Sequence, residues 1–211
     1  VVPKTLAGVP PACLLPLILL AGLLAPAALV TGADGDFAAA EELLRQGKVA
    51  QAEPLYLQIR PGHAKYLEAL HRLGTIYYST GRPADAEKSF KEYLTLRETA
   101  EVYTLLAGAQ FNREKFTEAY ESAKAALRID PRYPKAYTAI GMIYTALKNW
   151  QGADAAYHEA LRLDAKDSSA WFLLGRSCYL RNEFVRAREA YQQALALSPG
   201  SVRTHENLAL T

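Results

Sequence analysis

Histidine, cysteine and paired carboxylates are the side chains of this 211-residue chain whose chemistry could support a reaction. The four histidines, His63, His71, His158 and His205, share no metal-ligand spacing, and the His-x-x-x-His pair that sets two imidazoles on one helical face is absent. Cys178 falls on an apolar helical face without a positioned histidine to take its proton, so a buried, inert thiol is expected rather than a nucleophile. Glu41 and Glu42 are adjacent and diverge in direction on a helix, which makes a solvated face. The glycines are dispersed, with neither a Walker-type nor a dinucleotide-binding loop. Arg181, Arg186 and Arg188 alternate with Glu183 and Glu189, and the formal charge of the whole chain is only +2. Such a mixed surface argues against nucleic acid. A non-catalytic protein with no cofactor and no metal is expected.

If no residue set carries a reaction, function must come from the elements and the surface they build. Charge divides the chain first. Lys4 is the sole charged side chain before Asp34, and Ala12 to Val30 reads ACLLPLILLAGLLAPAALV, 19 residues without charge. A spanning helix takes about 20 apolar residues, and this run is interrupted by Pro16, Gly22 and Pro26. A secretory signal ending in small residues fits better than an uncleaved anchor or a buried helix. Lys4 before the run and Asp34, Asp36, Glu41 and Glu42 after it orient the remainder outward in either case. Residues 1–32 are therefore expected to be a signal peptide or membrane anchor, the chain's one link to a membrane. None of the four asparagines begins an N-glycosylation sequon, and the expected location is the bacterial periplasm or cell envelope.

Beyond that segment the chain is self-similar. Gly74, Ala107, Gly141 and Gly175 are spaced 33, 34 and 34 residues apart, the length of one helical hairpin. PKAYTAIGMIYTALKNWQGADAAYHEALRLDAKD and SSAWFLLGRSCYLRNEFVRAREAYQQALALSPGS pair Gly141 with Gly175, Ala153 with Ala187, Tyr157 with Tyr191 and Ala160 with Ala194. This pattern resembles the tetratricopeptide repeat family. The resemblance extends to residues 100–133 through Tyr103, Leu106, Ala107, Ala119, Ala126 and Pro131, and to 67–99 through Leu70, Leu73, Gly74, Tyr77, Ala86 and Phe90. A weaker copy over 33–66 supplies Ala40, Leu43, Ala52 and Tyr56. Five repeats (33–66, 67–99, 100–133, 134–167 and 168–201) are expected, then a capping helix or truncated sixth repeat over 202–211. Small residues let backbones approach and aromatics fill the gaps, so six of the thirteen tyrosines are packing residues: Tyr56, Tyr77, Tyr103, Tyr137, Tyr157 and Tyr191. Gly47, Gly81 and Asn182 fall where left-handed helix caps are needed. Pro54 and Pro61-Gly62 mark the first repeat as the least regular.

The resemblance implies an all-α, right-handed superhelical solenoid of antiparallel helix hairpins with a concave groove lined by the first helix of each repeat. Carried onto this sequence, the family's groove positions give Phe37, His71, Tyr78, Phe111, Lys135, Thr138, Met142, Phe172, Arg176, Tyr179 and Arg203. Aromatics and arginine anchor partners, so an extended or helical protein segment is the expected ligand. Family members that clamp chaperone C-terminal carboxylates carry Lys and Asn at two groove positions. Those positions here read Phe37, His71, Thr104, Thr138, Phe172 and Glu41, Thr75, Gly108, Met142, Arg176, so that clamp is not expected. The expected role is a protein-interaction scaffold. Two alternatives are a helper region of a larger enzyme or secretion component, and self-association by end-to-end stacking of repeats.

Overall fold

The computed structural model describes residues 32–211; residues 1–31 of the expected signal or anchor lie outside them. The described residues form eleven α-helices and no strand: α1 Ala33–Arg45, α2 Val49–Gln58, α3 Tyr66–Ser79, α4 Pro83–Leu96, α5 Ala100–Asn112, α6 Phe116–Ile129, α7 Pro134–Ala146, α8 Trp150–Leu163, α9 Ser168–Leu180, α10 Phe184–Leu197 and α11 Val202–Ala209. Consecutive helices pack as five hairpins, α1 on α2 through α9 on α10, with α11 against α10. Each second helix also packs on the first helix of the next hairpin, and α3, α5, α7 and α9 touch in succession. The odd-numbered helices, with α3, α5, α7 and α9 in direct succession, are here called the inner layer and the even-numbered helices the outer one.

Local chemistry sets the element ends. Pro83 and Pro134 open α4 and α7, where a missing N–H costs nothing. Thr99, Asn149, Asp167 and Ser201 cap α5, α8, α9 and α11 by accepting backbone N–H bonds. Gly47, Gly81 and Asn182 close first helices with φ of +72°, +75° and +64°, and Glu114 and Lys148 take the same left-handed turn at 59° and 58°. Pro54 lies inside α2, which at ten residues is the shortest second helix.

Small residues bring the layers together. A Cβ built on Gly141 would lie 2.6 Å from Tyr157 Cε1, and one on Gly175 would lie 2.7 Å from the Tyr191 ring. Phe90 covers Gly74 in the same way. Tyr56, Phe90, Tyr157 and Tyr191 are fully buried, while the third hairpin sets Ala123 against Ala107 instead of an aromatic against a glycine. Tyr77 is also buried, whereas Tyr103 and Tyr137 are only half-buried and donate their hydroxyls to Glu98 and to the Pro131 carbonyl.

Acids in the second helices, Glu87 buried and Glu53 and Asp154 half-buried, fasten one hairpin to the next. Ala52, Ala86 and Ala153 are fully buried, and the residue after each is acidic. Glu53 of α2 accepts from Arg82 at 2.8 Å on the turn between α3 and α4. Glu87 of α4, 3% exposed, accepts from Lys91, Arg113 and Lys115. Asp154 of α8 accepts from Arg181 Nη2 at 2.8 Å. At the corresponding place in α6 stands Tyr120, whose hydroxyl accepts from Tyr144 of α7 at 3.1 Å.

Candidate functional site

The inner layer carries the residues singled out by the sequence. Phe37 in α1 is half-buried, with its ring edge-on to Tyr56 at 5.6 Å and Lys65 Nζ 5.3 Å from its centroid. His71 in α3 has a buried Nε2 without a hydrogen-bond partner, 3.6 Å from Glu101 Oε1 of α5, and its ring meets Tyr93 edge-on at 6.2 Å. With Glu68, Arg72, Arg97 and Glu101 it lines a cleft of about 370 Å³. Tyr78, half-buried in α3, rests its ring against Gly108 of α5, where a Cβ would stand 3.2 Å from the hydroxyl.

Phe111 and Tyr179, in the last turns of α5 and α9, fold back onto the following helix, edge-on to Phe116 and Phe184 at 5.5 Å each. Both remain half-buried, as do Met142 in α7 and Arg176 in α9; Lys135 and Arg203 are exposed. The structure corrects two members of the set. Phe172 is 5% exposed and Thr138 is 8% exposed, so neither offers a free surface to a partner. The Phe172 ring packs 5.6 Å from that of Tyr191 and is roofed by the Arg203 guanidinium at 4.1 Å, while Thr138 turns its hydroxyl to the Pro134 carbonyl at 3.3 Å.

Further polar contacts lie beside these residues, at Glu41, which stands at a groove position in the sequence, and at Tyr120 and Tyr144, which the sequence does not single out. Glu41 of α1 accepts from the Tyr56 hydroxyl at 2.5 Å and from both Arg72 nitrogens, Nε at 2.8 Å and Nη2 at 3.0 Å. Burial, then that hydrogen bond to Glu41, raises the Tyr56 hydroxyl well above the ordinary tyrosine range. Tyr120 and Tyr144 line a cleft of about 380 Å³ with Phe116, Ile143 and Leu147 at the rim between the third and fourth hairpins. The available signal was the departure from an acid after the buried alanine, readable only when the repeats are aligned on one another.

Burial raises the Cys178 thiol, whose sulfur accepts from Arg181 Nη2 at 3.4 Å, so the reactive thiolate is disfavoured. No group of three or more His, Cys, Asp or Glu side chains able to hold a metal occurs among the described residues. No described helix is long and apolar enough to cross a membrane.

Comparison with known proteins gives a consistent picture. A family model described as tetratricopeptide repeat matches residues 37–101, 71–134 and 138–202. Human protein O-mannosyl-transferase TMTC1 is 26% identical over 205 residues, which take in 77% of this chain and 23% of that protein. The Hsp70-Hsp90 organising protein of Plasmodium falciparum is 30% identical over 117 residues, 55% of this chain and 45% of its own. This chain thus spans less than half the length of either relative. A solved structure of a thermophilic TPR protein from Thermus thermophilus superimposes with a TM-score of 0.70 at 20% identity, covering 85% of this chain and 98% of that one.

Proposed function

Because this chain belongs to the tetratricopeptide repeat family, we propose that its inner layer holds an extended or helical segment of a partner protein, and that the protein is a non-catalytic scaffold. The fold itself supports an interaction role, since stacked hairpins present a long continuous surface. The observation that carries the groove reading is the succession of α3, α5, α7 and α9, in contact one after another, with Tyr78, Met142, Arg176 and Tyr179 left half-buried along them. Aromatic and guanidinium groups that are partly desolvated before binding lose little freedom when a partner covers them.

The printed name of the Plasmodium relative concerns Hsp70 and Hsp90. Here the two carboxylate-clamp positions are occupied by residues such as Phe172 and Met142, so a chaperone tail is not the proposed segment. The groove is tested by hydrogen exchange with peptides selected from a randomised library. Slower exchange in α3, α5, α7 and α9 on peptide addition supports it; slowing confined to α4, α6, α8 and α10 would place the binding surface on the other layer.

The apolar run from Ala12 to Val30 supports export to a bacterial cell envelope. A fusion of residues 1–40 to alkaline phosphatase in a bacterial host should be active, and an inactive fusion would oppose export. A second reading, a helper region within a larger enzyme, is favoured by the similarity to an O-mannosyl-transferase of which this chain spans 23%. An open reading frame continuing from these repeats into a catalytic region would support it.

A further inference from the structure

At three joints an acid of the second helix meets a cation of the next hairpin: Glu53 with Arg82, Glu87 with Arg113, and Asp154 with Arg181. At the joint between the third and fourth hairpins both partners are exchanged together. Tyr120 stands in the place of the acid, and Leu147 stands where Arg113 and Arg181 lie one repeat before and one repeat after. What an ion pair closes elsewhere is left open here as a cleft of about 380 Å³, with Leu147 54% exposed at its edge.

Three of the residues that line this cleft are aromatic, and each ring is held by a neighbour. Phe116 is braced edge-on by Phe111 at 5.5 Å. The Tyr144 ring is admitted by Gly152 of α8, where a Cβ would stand 2.8 Å from Cδ2, and it lies 5.6 Å from the Tyr120 ring at an angle of 44°. The Tyr144 hydroxyl donates to that of Tyr120 at 3.1 Å, so the polar ends of the two rings satisfy one another and what they add to the lining is chiefly ring surface. Lys124, which does not line the cleft, sets its Nζ 5.4 Å from the Tyr120 centroid; this ring already attracts one ammonium.

Among the residues that line the cleft, Glu114 alone is charged, and its carboxylate has no ion pair or side-chain hydrogen bond within the described residues. It projects from the turn at φ 59°, where Gly47 and Gly81 serve the first two hairpins. Ring faces and a free carboxylate both favour a cation. A primary ammonium is compact and keeps its bound water unless three acceptors replace it, and beside Glu114 and Thr117 the lining is ring, Ile143 and Leu147. A quaternary ammonium has no N–H to satisfy and presents methyl groups to the rings.

We propose that this cleft binds the quaternary ammonium group of a choline-type ligand, with Phe116, Tyr120 and Tyr144 against its methyl groups and Glu114 as its counter-charge. The site is separate from the inner-layer groove, and its ligand is a small cation rather than a partner segment.

The ring-proton signals of Tyr120 and Tyr144 in the full chain, assigned from Tyr120→Phe and Tyr144→Phe, are followed at constant ionic strength in three titrations. The probes are choline chloride, its neutral analogue with carbon in place of nitrogen, and ethanolamine hydrochloride. Choline is expected to give saturable shifts and to bind about tenfold more tightly than either comparator. Equal binding of choline and the neutral analogue would reduce the cleft to an apolar pocket and overturn the proposal, as would the lack of a saturable response to choline. Glu114→Gln, an exposed substitution, should weaken choline binding about threefold and leave the neutral analogue unaffected. Tyr144→Leu should abolish the choline response while circular dichroism keeps its helical signal, and a folded variant that still binds choline would refute the cage. Where that variant fails to fold, Glu114→Gln decides, and an unchanged choline affinity sinks the site. Glycerophosphocholine titrated in parallel separates the sources: tighter binding than choline assigns a lipid headgroup, weaker binding assigns free choline, and either result accords with the site.

Discussion

Gly141 and Tyr157 are locked by contact: any Cβ at 141 meets a ring that is fully buried and cannot swing away. Gly141→Ala is expected to cost about 1–3 kcal/mol as an overpacked core substitution, seen as a lower urea midpoint with an unchanged slope. Lys148 lies at the other extreme, exposed at φ 58° where a side chain is a burden. Lys148→Gly should stabilise the protein by about 1 kcal/mol, measured by the same unfolding curves. Burial alone would push the Glu87 carboxyl upward, but hydrogen bonds from Lys91, Arg113 and Lys115 outweigh it and hold the group at about 2, below its ordinary 4.5. The depressed value means that ionised Glu87 stabilises the fold fully above pH 4.5 and that the contribution disappears as pH falls toward 2. Glu87→Gln should therefore be less stable at pH 7 and show a shallower loss across that interval in acid titrations followed by circular dichroism. The glycine–aromatic pairs were legible because their spacing is local to one hairpin. Phe172 was misplaced because its burial depends on Arg203, 31 positions later, and no periodicity reports that contact.

Among the hairpins, α5–α6 is the one built from small side chains. The buried cluster of the first three hairpins runs from Ala40 to Ala109, the one toward the other end runs from Ala153 to Ala194, and between them lie small groups dominated by Ala107, Ala123, Ala126 and Ala136. An alanine facing an alanine buries far less apolar area than a tyrosine over a glycine. A hydrogen bond of 2.7 Å from Ser122 Oγ to Gln110 Oε1 ties the hairpin internally without replacing that area. Amide exchange should accordingly be at least tenfold faster in α5 and α6 than in α3 and α4, and equal protection would show that the alanine packing is no weaker. The ends of three first helices were legible, because Gly47, Gly81 and Asn182 each act on their own turn. The weakness of the third hairpin was visible in Ala123 standing where the others have Tyr or Phe, but its meaning depends on which side chain faces it.

Across the described molecule, nearest-neighbour contacts carry the stability, as expected of stacked hairpins. Fold class could be read from the repeat because every hairpin states it again; the identity of the partner could not, because half-buried Tyr78, Met142 and Arg176 lie at positions where the packing leaves residue type free. The joints between hairpins are of two chemical kinds, charge at Glu53, Glu87 and Asp154 and a tilted, hydrogen-bonded pair of phenol rings at Tyr120 and Tyr144. Salt weakens the first kind according to its exposure and leaves the second nearly untouched. The chain is thus a spring whose coils differ in stiffness, and the medium decides which coil yields. In dilute buffer the ring joint is expected to be the softer one, and in concentrated salt the difference is expected to shrink. The distance from Tyr78 to Arg176, which straddles that joint, is then expected to vary with ionic strength, and a ligand long enough to touch both would feel the surrounding electrolyte through it.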